Sequence, residues 1–265
     1  MSLLVADQLS KTYKSTGWFR SDQSADQGVH HISFTIESGS CLGLLGESGA
    51  GKSTIGKIIL GLLAPDSGKV LFQGVDLYAA SRSQRKELRR DLQVVFQDSY
   101  SAVNPRMTIK QIIGEPLRNY ERLSAKEEIR VISELLEMMG LRADDMYKMP
   151  SQMSGGQLQR VNIARAIALK PKLVVLDEPV SSLDMIVQKQ ILLHLKELKE
   201  KHGFSYLFIS HDVMAIHTLS DQVAVLDNGT IVETIDAESL FDTVHPSCQR
   251  IVGAKSSDQF EGFVF

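Results

Sequence analysis

The chain has 265 residues, 43% of them hydrophobic, enough to bury a substantial core. Its formal charge of −3 lacks the basic surplus of a nucleic-acid binder, so no nucleic-acid partner is expected. No apolar run reaches the roughly 18–20 residues that cross a bilayer, and Met1 to Asp7 has no basic segment ahead of an apolar one, so neither a span nor a signal peptide is expected.

In chain order, Leu3 to Tyr13 reads as a strand and Lys14 to Gly28, rich in Ser, Asp, Gln and Gly, as an exposed loop. Trp18 and Phe19 are expected to be covered by that loop itself. Val29 to Ile36 alternates as a half-buried strand does, and His30-His31 at its start reads as an ordinary polar pair. Cys41 to Leu45 reads as a buried strand, and Ile55 to Leu63 as a helix. Val70 to Phe72 and Val75 to Leu77, split by Gln73-Gly74, read as a hairpin. The basic run Arg82 to Arg90 reads as a solvated helix face. Cys41 and Cys248 form no CxxC pair and suit a reducing compartment.

Residues 99 to 168 change character and read as a helical insert. Ser124 with Glu127 makes a capping box; Ile129, Ile132, Leu135, Leu136 and Met139 then share one helical face, and Gly140 ends it. Leu173 to Leu176 is a buried strand, Met185 to His202 a long helix capped near Gly203, and Tyr206 to Ile209 another strand. Asp227-Asn228-Gly229 joins Val223 to Leu226 and Thr230 to Glu233 as a hairpin. The tail from Ser256 shows no pattern.

Three segments carry chemistry. Gly46-Glu47-Ser48-Gly49-Ala50-Gly51-Lys52-Ser53-Thr54 fits G-x-x-x-x-G-K-[ST], between an apolar strand and a helix. Its glycines let backbone N–H groups crowd around phosphate oxygens, the helix N-terminus adds partial positive charge, Lys52 supplies a cation for the β and γ phosphates, and Ser53 offers a hydroxyl to Mg²⁺. This pattern predicts an NTPase. Asp177 and Glu178 end a buried strand, where two carboxylates are costly unless paired; Mg²⁺ at Asp177 offsets that cost and leaves Glu178 to polarise water. Ser154-Gly155-Gly156-Gln157 opens a second helix able to receive phosphate. One chain already has a phosphate loop, so the second points to a γ-phosphate brought by another subunit.

In this order the motifs resemble the ATP-binding cassette family over about Leu3 to Gly253. The resemblance implies an α/β fold: a P-loop NTPase of RecA-like type with an antiparallel β subdomain and an inserted α-helical subdomain, divided as residues 1–98 and 169–255 for the core, 99–168 for the insert and 256–265 for a tail. It implies that Tyr13 stacks on adenine, and that Gln97 touches Mg²⁺ and the attacking water and couples to a membrane subunit. Ser154 to Gln157 match the family signature, Asp184 closes the loop that links two sites across a dimer, and His211 contacts the γ-phosphate. Met153 departs from the Leu that usually opens the signature, and its apolar, unbranched side chain is expected to preserve packing. Asn104-Pro105-Arg106 and His245-Pro246 resemble the peptide and nickel importer branch.

The expectation is therefore an ATP- and Mg²⁺-dependent ATPase at the cytoplasmic face of a membrane. Its expected partners are two membrane-spanning permease subunits, a second ATPase subunit and, indirectly, an extracytoplasmic solute-binding protein. Nickel is the expected cargo, with a peptide or a metal chelate as the alternative. A cassette ATPase outside transport, a nucleotide sensor and a separate exporter subunit are the competing readings.

Overall fold

The computed structural model describes residues 2–13 and 27–259; the expectations for most of the loop from Lys14 to Gly28, with Trp18 and Phe19, and for the last six residues fall outside them. Alternation along the first two segments builds an antiparallel sheet. It comprises β1 (Ser2–Tyr13), β2 (Gln27–Glu37), β4 (Ser67–Phe72) and β5 (Val75–Asp76), in the order β2-β1-β4-β5. Leu4, Leu9, Ile32, Ile36, Val70 and Phe72 turn inward and are buried.

A second sheet has the order β10-β9-β3-β8-β7-β6, with β3 (Cys41–Gly46), β6 (Leu92–Val95), β7 (Leu173–Asp177), β8 (Ser205–Ser210), β9 (Gln222–Asp227) and β10 (Thr230–Asp236). The β6-β7-β8-β3-β9 pairs are parallel, and β10 joins the edge antiparallel through the Asp227-Asn228-Gly229 turn. Parallel strands lie between covering layers, so these read as continuous apolar runs; every residue of β3 and β8 is buried.

The helices are α1 (Lys52–Ile59), α2 (Arg82–Asp91), α3 (Ile109–Tyr120), α4 (Ala125–Met138), α5 (Gly155–Ile167), α6 (Met185–His202), α7 (Val213–Leu219) and α8 (Pro246–Gln259). α1 begins at Lys52, where the phosphate loop places a helix N-terminus and three residues before the apolar pattern starts, and it ends four residues earlier than that pattern because Gly61, with φ of 66°, stops it. α2, α3, α4 and α5 each start with a capping box, at Ser81, Thr108, Ser124 and Ser154. α3, α4 and α5 fall between β6 and β7 and pack on one another through Ile112, Ile113, Ile132, Leu136, Leu158 and Val161. α8 was not anticipated. It opens on Pro246, a favoured first helical residue, and continues past Ser256.

A polar staple closes the base of the parallel sheet. Lys199, 8% exposed near the end of α6, donates to both carboxylate oxygens of Asp221 at 2.6 and 2.7 Å. Asp221 also accepts from the Cys41 backbone N–H at 2.7 Å, tying α6 to the starts of β3 and β9. Burial pushes the neighbouring Cys41 thiol up to about 12.

Candidate functional site

Parallel strands present their C-terminal ends on one side of a sheet, where ligands of open α/β folds bind. β3 leads into the phosphate loop, β7 ends on Asp177-Glu178, β8 is followed by His211 and β6 by Gln97. Because β8 lies between β3 and β7, segments separated by up to 165 residues arrive side by side.

The phosphate loop turns on Gly51, whose φ of 105° few side chains tolerate and whose missing Cβ would sit 2.5 Å from a methyl of Val29. Lys52 opens α1, is 5% exposed, and donates to the carbonyls of Gly46 at 2.8 Å and Glu47 at 2.9 Å. Its ammonium is thus folded back across the loop. Tyr13, 45% exposed at the end of β1, places its hydroxyl 3.3 Å from Thr54 Oγ1, which sets an aromatic ring beside the loop.

Across the strand ends, Ser53 Oγ donates to Asp177 Oδ1 at 3.4 Å. Burial holds the Asp177 carboxyl above the usual carboxylate range; the Ser53 hydrogen bond opposes this and the Glu178 charge adds to it. A half-buried carboxylate facing a hydroxyl in this way is a donor set that fits a hard divalent cation such as Mg²⁺. Glu178 adopts φ of 47° and is pinned by its N–H on the Ile209 carbonyl at 2.9 Å. A left-handed glutamate is strained and persists only where the surroundings over-determine it. Its Oε1 meets His211 Nδ1 at 2.9 Å.

The structure therefore gathers Tyr13, Gly46, Glu47, Ser48, Gly49, Ala50, Gly51, Lys52, Ser53, Thr54, Asp177, Glu178 and His211 at one edge, with Gln97 exposed just beyond the end of the neighbouring β6. Ser154 to Gln157 form a separate group. Ser154 Oγ accepts from the Gln157 N–H at 3.3 Å, and a Cβ on Gly156 would lie 2.6 Å from Val187 Cγ1. The signature is thus packed against the first turn of α6, which Asp184 caps by accepting from the Val187 N–H at 3.0 Å.

Two features escaped the sequence reading. One is the direct Glu178–His211 contact, between residues 33 positions apart. The other is Arg250 on α8, which donates to Asp227 at 2.9 Å and reaches Glu47 of the phosphate loop at 3.8 Å. Pro246 was the available sign that a helix begins there. His30 and His31 join no group of three possible metal ligands among the described residues.

Comparison with known proteins decides the family. The ABC transporter family model matches residues 29–181. The chain belongs to the ABC transporter family. A nickel import ATP-binding protein, NikE, of Escherichia coli is 43% identical over 88% of this chain and 87% of its own. An oligopeptide transport ATP-binding protein, OppF, of Lactococcus lactis is 43% identical over 86% of this chain and 71% of its own. A peptide ABC transporter ATP-binding protein of Sinorhizobium fredii is 41% identical over 96% and 72%. Among solved structures, a dimeric ATP-binding cassette in a post-hydrolysis state, bound to ADP and Pi, aligns with a TM-score of 0.77 at 27% identity, covering 88% of this chain and 98% of that one. A CbiO1 subunit from Clostridium perfringens, part of a cbiONQ transporter complex, aligns with a TM-score of 0.78 at 25% identity, over 96% and 95%. This ABC chain is an ATPase of the cassette fold expected from its motifs. No helix among its described residues is long and apolar enough to cross a membrane.

Proposed function

We propose that this ABC chain is the motor subunit of an importer, with nickel as the first candidate cargo and peptide as the second. The observation that carries the motor assignment is the 2.9 Å contact between Glu178 and His211 at the strand ends beside the phosphate loop. Tyr13 supplies a face for adenine, as an exposed aromatic ring beside a phosphate site does well. Gly46 to Thr54 cradle the phosphates, with Lys52 as their cation. Ser53, Gln97 and Asp177 would hold Mg²⁺, which when bound neutralises charge on the β and γ oxygens.

Glu178 accepts a hydrogen bond from the attacking water and polarises it, and His211 both orients Glu178 and approaches the γ-phosphate. Phosphoryl transfer depends mainly on positioning and charge, so a strained, pinned glutamate suits the task. Ser154 to Gln157 serve a nucleotide held by a second ATPase subunit, and Asp184 borders that contact. The dimeric arrangement of a related cassette supports this reading.

The remaining partners are two permease subunits and, through them, a solute-binding protein; the chain sits as a peripheral subunit on the cytoplasmic side of the membrane and acts as a translocase. We divide it into 1–98 with 169–255 as the nucleotide core, 99–168 as the insert that carries the signature, and 256–265 as a tail that begins inside α8. The names of NikE and OppF support the two cargoes at equal identity. Metal content of cells lacking the gene separates them. Nickel accumulation lost on deletion and restored by the native chain supports nickel; unchanged nickel with lost uptake of a labelled peptide supports peptide.

A further inference from the structure

β6 ends at Val95, and Gln97 follows two residues later. Directly behind Gln97 the chain makes one tight turn. Asp98 Oδ1 accepts from the backbone N–H groups of Tyr100 at 2.9 Å and Ser101 at 3.3 Å, and the Asp98 carbonyl accepts from the Ala102 N–H at 3.1 Å. That turn is bound at three points, two on α5 and one on the residue that leads into it. Asn162 Nδ2 donates to the Ser99 carbonyl at 3.0 Å, and Arg165 Nη1 donates to the Ala102 carbonyl at 2.8 Å. The third bond differs from these. The Tyr100 hydroxyl donates at 3.1 Å to the carbonyl of Met153, the residue immediately before Ser154.

Asn162 and Arg165 hold the turn to the body of the helix. Tyr100 alone of the three reaches the segment that leads into the signature. Its residue is 50% exposed, so burial of the ring is not its main contribution. Met153 is 4% exposed and extended, and Ser154 caps α5 one residue later, so a pull on the Met153 carbonyl acts on the cap directly.

We propose that Tyr100 is a positioning residue that couples the chain's own nucleotide site, through Gln97, to the signature it offers its partner, through Met153 and Ser154. The proposal rests on the site reading given above. A displacement of Gln97 when the γ-phosphate is present or lost passes through a hydrogen-bonded turn with little slack. It then moves the donor group used by the opposite site. The two sites of a dimer are thereby made interdependent by one hydroxyl.

The test compares native chain, Tyr100→Phe and Glu178→Gln, each as the full chain purified in its transport complex. A half-exposed neutral hydrogen bond contributes about 1 kcal/mol, equivalent to about five-fold in a rate or an equilibrium. We expect Tyr100→Phe to keep its melting midpoint within about 2 °C and to keep its affinity for a fluorescent ATP analogue. Its kcat should fall about five-fold with KM little changed, and its dependence on ATP concentration should become less steep. Native kcat and steepness in Tyr100→Phe overturn the proposal. So does a loss of kcat matched by an equal loss of nucleotide affinity or stability, which marks a merely structural role. Normal turnover in Glu178→Gln overturns the site reading instead, so the two failures are told apart.

Discussion

Glu178 and Asp177 are adjacent carboxylates that backbone and burial place in different settings. Asp177 lies on the strand, where burial raises its carboxyl. Its folded state therefore holds the proton more tightly than the unfolded chain does. The stabilisation from that site is present at low pH and is lost as pH rises through the folded value. Without nucleotide or cation, Asp177→Asn should melt about 1–3 °C above the native chain at pH 8, with the difference shrinking toward pH 4. Melting curves across that range check this, and a less stable variant at pH 8 contradicts it. The same variant should lose Mg²⁺-dependent hydrolysis. Tyr13→Ala should weaken ATP binding about ten-fold through the lost ring face, read by equilibrium titration.

The sequence already set Asp177 apart for a cation, Glu178 for water and Tyr13 for the base, but not the geometry that separates them. Asp177 and Glu178 stood out because they end an apolar strand, and His211 through the family resemblance, but spacing along a chain carries no sign of a left-handed φ at Glu178 or of a contact spanning 33 positions. Those depend on β7 and β8 being neighbours, a long-range property of the sheet.

Elements were more legible, because local patterns determine them. The alternation from Val29 to Ile36 and the apolar runs at Cys41, Leu173 and Tyr206 are each strands, since period and burial agree there. The Ser124–Glu127 box starts a helix at the expected place. α1 departs from its apolar pattern at both ends because the phosphate loop, not amphipathic periodicity, sets its start at Lys52 and Gly61 sets its end. α8 was missed because its fourteen residues, Pro246 to Gln259, show no sustained apolar period. At this scale the cap of α5 gives a measurable prediction. Ser154→Ala removes an acceptor for the Gln157 N–H and should cost about 1 kcal/mol of stability, seen by denaturant titration. Its loss of ATPase activity should be far larger than that cost explains if, as proposed, the same hydroxyl serves a nucleotide held by a second subunit. A fall in activity no greater than the fall in folded fraction contradicts this role.

For the whole molecule, two sheets and a helical insert must hold their edges in register for the site to exist. The Lys199–Asp221–Cys41 staple does this at the base of the parallel sheet, opposite the strand ends that carry the chemistry. Asp221→Ala removes the half-exposed carboxylate from the buried Lys199 ammonium and from the Cys41 N–H, and should cost about 1–2 kcal/mol, measured by chemical denaturation; a change below about 0.5 kcal/mol contradicts the staple. The staple joins residues 22 and 180 positions apart, so no sequence window could have shown it.

ATP hydrolysis that depends on Glu178 is the central claim. It is tested most directly by phosphate release and nucleotide binding measured together on Glu178→Gln. The side chain keeps its size and its backbone strain while losing the charge that polarises water. Bound ATP should be retained at near-native affinity while hydrolysis falls by about 10²–10⁴-fold. Native turnover in this variant would contradict the account.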